Sequence, residues 1–128
     1  MWTERRRGIV RFGATALLIA CHLPWTWAGD SPARVRGAGV QECAEYRWAW
    51  QGRSGSEPQA VAEYRSYRAW LAGFVSGLDV ATGMDVLAGV PLDQALDRIA
   101  AWCQTHPRED FITATRDLIR MLSRLPTR

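Results

Sequence analysis

Apolar residues recur at helical spacing in four successive segments of this chain. The first runs near Val40 to Trp50. There Cys43, Tyr46, Arg47 and Trp50 recur three or four apart, which sets Cys43 on the face that carries the aromatics. Gln51 to Glu57 (QGRSGSE) reads as a loop. The second helix starts around Pro58, because a missing N–H costs nothing in a first turn. Ala60, Tyr64, Tyr67, Leu71, Phe74, Val75 and Leu78 share one side of it. Its later half, Ala69 to Leu78 (AWLAGFVSGL), carries no charge, which predicts burial on most sides and a central position. Gly73 and Gly77 lie on the flank of that half beside Trp70. Each costs roughly 1 kcal/mol against alanine, so the pair predicts close approach of another backbone or ring.

Val80 to Pro91 (VATGMDVLAGVP) reads as a loop with an apolar set of Met84, Val86, Leu87 and Val90. Such a loop is either tucked onto the core or left out for a partner. The third helix covers Leu92 to Cys103, with Leu92, Leu96, Ile99 and Cys103 as its buried stripe and Asp93, Gln94, Asp97 and Arg98 opposite. The fourth opens at Pro107, with His106 as N-cap and Glu109 and Asp110 in its first turn, where negative charge suits the helix dipole. It runs to about Leu125 on a stripe of Phe111, Thr115, Leu118, Leu122 and Leu125, broadened by Ile112 and Ile119. Arg116, Arg120 and Arg124 form the opposite stripe, either a solvated face or a docking surface for an acidic partner. No strand-like alternation is present. The pattern predicts an all-α fold: a small, compact four-helix domain.

The N-terminus reads as an export signal. Met1 to Arg11 is basic, and Phe12 to Leu23 is apolar over about the length of a signal-peptide core. That run is too short for a membrane span. Thr26-Trp27-Ala28 offers small residues for cleavage, with Gly29 as the mature start. The predicted organisation is a cleavable signal peptide over 1–28, a flexible linker over 29–39 and a helical domain over 40–126. Leu18-Ile19-Ala20-Cys21 also matches a lipobox, in which Cys21 would be acylated and tether the domain to a membrane. The bland alternative to both is a buried N-terminal helix.

Removing the leader changes the charge. The chain has 16 basic residues, all arginine, against 13 acidic ones, a net charge of +3. From Gly29 onward 12 arginines face 12 acids. The basic excess therefore belongs to the leader, and the argument for a nucleic-acid partner goes with it. Removal also takes Cys21 and leaves Cys43 and Cys103. An even count in an exported domain reads as a disulfide. Closing a loop of 60 positions would contribute roughly 4 kcal/mol. Two buried free thiols are the alternative. A zinc site fits poorly, because two separated cysteines and one mature histidine lack clustered pairs.

Catalytic chemistry is not signalled. His106, the one histidine left after the leader, suits a capping role; phosphate loops, nucleophile elbows and zinc-helix motifs are absent. No catalytic residue, cofactor or metal is expected. Four tryptophans remain, Trp48, Trp50, Trp70 and Trp102. A domain of this size struggles to bury four indoles, so one or two are candidates for a binding surface.

Two segments carry a resemblance. They are Trp70-Leu71-Ala72-Gly73-Phe74-Val75-Ser76-Gly77 and Trp102-Cys103-Gln104-Thr105-His106-Pro107, set after a helix-borne Cys43 and around the leucine-bearing stretch Leu87 to Leu96. Together they resemble the Tai/Rap family of periplasmic immunity proteins, which neutralise peptidoglycan amidase effectors of type VI secretion. They are more distantly similar to the HdeA-like periplasmic chaperones. The resemblance spans Val40 to Leu125. It implies a Cys43–Cys103 bridge, a periplasmic location, no enzymatic activity and binding to a protein effector, often as a homodimer. It supplies no inhibitory residue. The candidate partner surface is the Gly83–Val90 loop: Met84, Asp85, Val86 and Leu87, with Asp85 as the charged point. The alternative function is an acid-stress chaperone. Protonating the 12 mature acids would leave about +12, and repulsion of that size loosens a small fold.

Overall fold

The computed structural model describes residues 34–124. The expected signal peptide, Cys21, the start of the expected linker and Leu125 lie outside the described residues. Within them a 3-10 turn at Gly37–Val40 leads into α1 (Cys43–Gly52), α2 (Pro58–Thr82), α3 (Leu92–Thr105) and α4 (Phe111–Ser123). The four helices are those the periodicity predicts.

The core gathers around α1, which packs on each of the other three helices. Cys43, Tyr46 and Ala49 step by three along it and are completely buried. The predicted stripe of α3 is buried at Leu96, Ile99 and Cys103, with Ala95 and Ala100 widening it. On α4, Phe111, Thr115, Leu118 and Leu122 face inward as expected. The Thr115 hydroxyl donates to the Phe111 carbonyl at 2.9 Å, so no buried polar group is left unpaired there.

Aromatic rings from three helices meet at the centre. The Phe111 ring lies 4.6 Å from Tyr46, 4.9 Å from Tyr67 and 5.7 Å from Trp70, measured between centroids. Such tilted and edge-on pairs add to simple area burial, because ring edges and faces carry opposite partial charge. The Tyr46 hydroxyl donates to the Leu96 carbonyl at 2.9 Å and so ties α1 to α3. Burial raises its pKa well above the usual phenol value, so this donor keeps its proton.

Cys43 and Cys103 form a disulfide, with Cα atoms 5.0 Å apart and both residues fully buried. The free-thiol alternative is thereby excluded. The bond joins the start of α1 to the last turn of α3.

The connector after α3 departs from expectation. The fourth helix opens at Phe111 rather than Pro107, and Asp110 is its N-cap, accepting from the Thr113 N–H at 2.9 Å. Pro107 to Asp110 instead lies beside the start of α1. The Pro107 carbonyl accepts from Ala44 N–H at 3.0 Å and the Glu109 carbonyl from Cys43 N–H at 2.7 Å. Two unpaired N–H groups of the first turn of α1 thus find partners, which outweighs one more turn on α4. His106 accordingly caps the C-terminal end of α3, where its ring stacks on Trp102 at 3.9 Å.

Four further expectations are corrected. The later half of α2 is not buried on most sides: Ala69, Gly73, Ser76 and Gly77 are exposed. Small side chains carry so little apolar surface that a helix face can face water without charge. Beyond the helix's own neighbouring turns, nothing lies within 4 Å of where a Cβ on Gly73 or Gly77 would stand. The tight glycines are elsewhere. A Cβ on Gly39 would fall within the Trp70 ring, and one on Gly52 would strike the Ala60 methyl where α1 and α2 converge. Residues 36–39, expected within a flexible linker, are therefore part of the fold. The Trp70 indole donates to the Arg36 carbonyl at 2.8 Å, and the turn lies over the ring. Finally, α2 continues past Leu78 to Thr82. It stops at Gly83, whose φ of 68° and N–H bond to the Asp79 carbonyl make a left-handed C-cap.

Candidate functional site

The predicted partner surface splits between core and solvent. Leu87 is 6% exposed and belongs to the core cluster, while Val86 packs against it half-buried. Met84 is 65% exposed. Asp85 is exposed, but its carboxylate accepts from the N–H groups of Leu87 at 3.0 Å and Gly89 at 2.7 Å. The Asp79 carboxylate accepts from Val86 N–H at 2.9 Å. Two aspartates thus build a turn from within, which positions Leu87 inward and leaves Met84 and one flank of Asp85 accessible. Arg116, Arg120 and Arg124 are exposed along α4, as expected for either reading of that stripe.

A second site was not anticipated as a unit. Gln41, Ala44, Glu45 and Trp48 on the α1 side face Gln59, Glu63 and Tyr67 on α2 across a groove of about 520 Å³. Periodicity explains each wall. Glu45 and Trp48 are three apart; Gln59, Glu63 and Tyr67 step by four. Closure through the short loop at 53–57 lays the two helices side by side, and the close contact of Gly52 with Ala60 sets their spacing.

The chemistry of the groove is acidic and aromatic. Trp48 is 46% exposed, the most open of the described tryptophans. Neither Glu45 nor Glu63 forms an ion pair among the described residues; the pairs there are Arg53–Asp97 and Arg68–Asp93. Tyr67 is 2% exposed, its ring held by Tyr46 and Phe111. Its hydroxyl makes no hydrogen bond to another described residue and is not sealed from solvent. Burial raises the Tyr67 pKa, and the charges of Glu45 and Glu63 raise it further, so the phenol stays neutral.

The other indoles are committed to structure. Trp50 donates to Asp97 Oδ1 at 2.9 Å, and the Arg53 guanidinium sits 4.1 Å over its ring. Trp70 is held by the Arg36 carbonyl and stacks on Phe74. The ring of Trp102 lies against His106. The His106 Nδ1 lies 2.9 Å from Thr105 Oγ1 and 3.0 Å from the Trp102 carbonyl, a local end-of-helix arrangement. Among the described residues no group of histidine, cysteine and carboxylate side chains could hold a metal ion. No described helix is long and apolar enough to cross a membrane.

Fold and groove together define a small helical domain pinned by one disulfide, with an open acidic cleft on one side. Comparison with protein-family models, curated proteins and solved structures gives no match.

Proposed function

We propose that the chain is an exported, non-enzymatic protein-binding domain acting as an immunity protein against a peptidoglycan-cleaving effector. The observation that carries this reading is a half-exposed tryptophan, Trp48, on a helix that the disulfide and the buried aromatic cluster hold rigid. Tryptophan on a rigid surface is a low-entropy anchor for protein contacts. The leader-like N-terminus and the resemblance of the Trp70–Gly77 and Trp102–Pro107 segments to the Tai/Rap family supply the location and the class of partner. In this reading the protein works in the periplasm without cofactor or metal. Its candidate partner surfaces are the groove and, past the other end of α2, the accessible tip of the loop at Met84 and Asp85.

Affinity capture separates this reading from the chaperone alternative. The tagged protein is mixed with periplasmic extract and candidate amidase effectors at neutral pH and again near pH 3, and bound proteins are read by mass spectrometry. One stoichiometric hydrolase held at neutral pH is the expected result. A broad set of unfolded proteins held only at acid pH would replace the immunity role with the chaperone role.

A further inference from the structure

We propose that the groove between α1 and α2 seats an arginine side chain presented by the protein partner. The inference rests on the protein-binding reading above and names the chemistry of its contact. Two carboxylates, Glu45 and Glu63, line the groove, and no basic residue does. Both lack an ionic partner among the described residues. Tyr67 lines the same groove, close enough to both carboxylates to feel their charge, on a side chain 2% exposed whose hydroxyl has no hydrogen-bond partner among those residues. A buried polar group that opens onto a cleft and has no partner in the protein is available for one from outside. The indole of Trp48 forms the remaining wall.

The ligand type follows by elimination. An apolar group would strip water from two carboxylates and give nothing back. An anion would meet like charge. The helix N-terminus nearby offers no compensation, because the Cys43 and Ala44 N–H groups already bond the Glu109 and Pro107 carbonyls. A cation is left. Arginine suits it better than lysine, because the planar guanidinium stacks on an indole while its edge donates to carboxylates. The same fold already contains this arrangement. Arg53 lies 4.1 Å over the Trp50 ring, and its Nη2 stands 3.9 Å from the Asp97 carboxylate that also accepts from the Trp50 indole. Trp48 with Glu45 and Glu63 repeats the tryptophan and carboxylate parts without the arginine. In the filled groove the guanidinium lies on Trp48, donates to Glu45 and Glu63, and donates one further N–H to the Tyr67 oxygen.

The test is a titration of the full chain with the blocked tripeptide acetyl-Gly-Arg-Gly-amide, followed by ¹H–¹⁵N NMR. It involves no effector, so it stands or falls separately from the immunity role. The Trp48 indole N–H and the Gln59 side-chain amide are expected to shift in a saturable manner. The double variant Glu45→Gln, Glu63→Gln is expected to weaken the peptide about fivefold or more, as is Trp48→Ala. Undisturbed resonances of the Phe111 region establish that the variants are folded. The lysine peptide should bind more weakly, and the glutamate peptide should leave the groove resonances unmoved. Equal binding by wild type and both variants, or equal shifts with the glutamate peptide, overturns the proposal.

Discussion

Replacing both Cys43 and Cys103 with alanine is expected to lower the unfolding free energy by about 4 kcal/mol, the chain-entropy value for a loop of this size. The bond closes 60 positions of sequence, a large part of the folded region. Against a total of ~5–15 kcal/mol for a small domain, that loss is severe. It corresponds to a fall in Tm of roughly 15–30 °C. The position of the bond adds to its effect. Cys43 begins α1, where the connector from Pro107 to Asp110 supplies the first N–H groups with carbonyl partners. Cutting the bond frees the end of α3 that leads into this connector, so the capping bonds lose their anchor as well. Calorimetry of the wild type, with and without reductant, and of the double variant measures the effect. A loss below about 1 kcal/mol would mean that the packing of Tyr46 on α3 suffices without the bond.

Phe111→Ala should cost about 3–5 kcal/mol, the range for emptying a buried phenylalanine site. Phe111 is completely buried and touches rings from α1 and α2, so its loss opens a cavity where three helices meet. Those neighbours cannot collapse into the space easily. The hydroxyl of Tyr46 is fixed on the Leu96 carbonyl, and the indole of Trp70 on the Arg36 carbonyl. Phe111→Leu, which refills much of the volume, should cost less than about 1.5 kcal/mol. Met121→Ala on the same helix, at a residue 50% exposed, should fall within about 0.5 kcal/mol. Urea unfolding of the three variants checks the order. Equal effects of Phe111→Ala and Met121→Ala would contradict a core centred on the ring cluster. The cluster also has a functional consequence, because the ring of Tyr67 packed on Phe111 forms part of the groove.

The helices were legible in the sequence because their apolar stripes repeat cleanly. Leu96, Ile99 and Cys103 on α3 and Phe111, Leu118 and Leu122 on α4 are buried as their spacing requires. The cysteine count gave the disulfide for a similar reason, since two remain once an exported leader is removed. What misled was local chemistry with two uses. Pro107 suits a first helical turn, yet its carbonyl serves as a cap for α1 instead. An uncharged run such as Ala69 to Leu78 suggests burial, yet its small residues face water. Gly73 and Gly77 advertise a close approach that occurs at Gly39 and Gly52. Periodicity tells which residues share a face but not what stands opposite.

The groove illustrates the same limit. Glu45 and Trp48 were visible as neighbours on one helix, and Gln59, Glu63 and Tyr67 as neighbours on another. Only the packing of α1 on α2 joins the two sets. The loop candidate rests on apolar residues in an expected loop, and periodicity does not tell which of them turn inward. Asp79 and Asp85 fold that loop by accepting backbone N–H groups, and this places Leu87 in the core and Met84 outside.

In the proposed role the protein binds and blocks a cell-wall hydrolase through the surface around Trp48. The most direct measurement is peptidoglycan hydrolysis by a captured or candidate amidase effector, titrated with the purified protein. Loss of hydrolysis at one equivalent is expected, with at least a tenfold weaker effect for Trp48→Ala, as for an interfacial tryptophan anchor. Hydrolysis that continues undiminished in a large excess of the wild-type protein would contradict it.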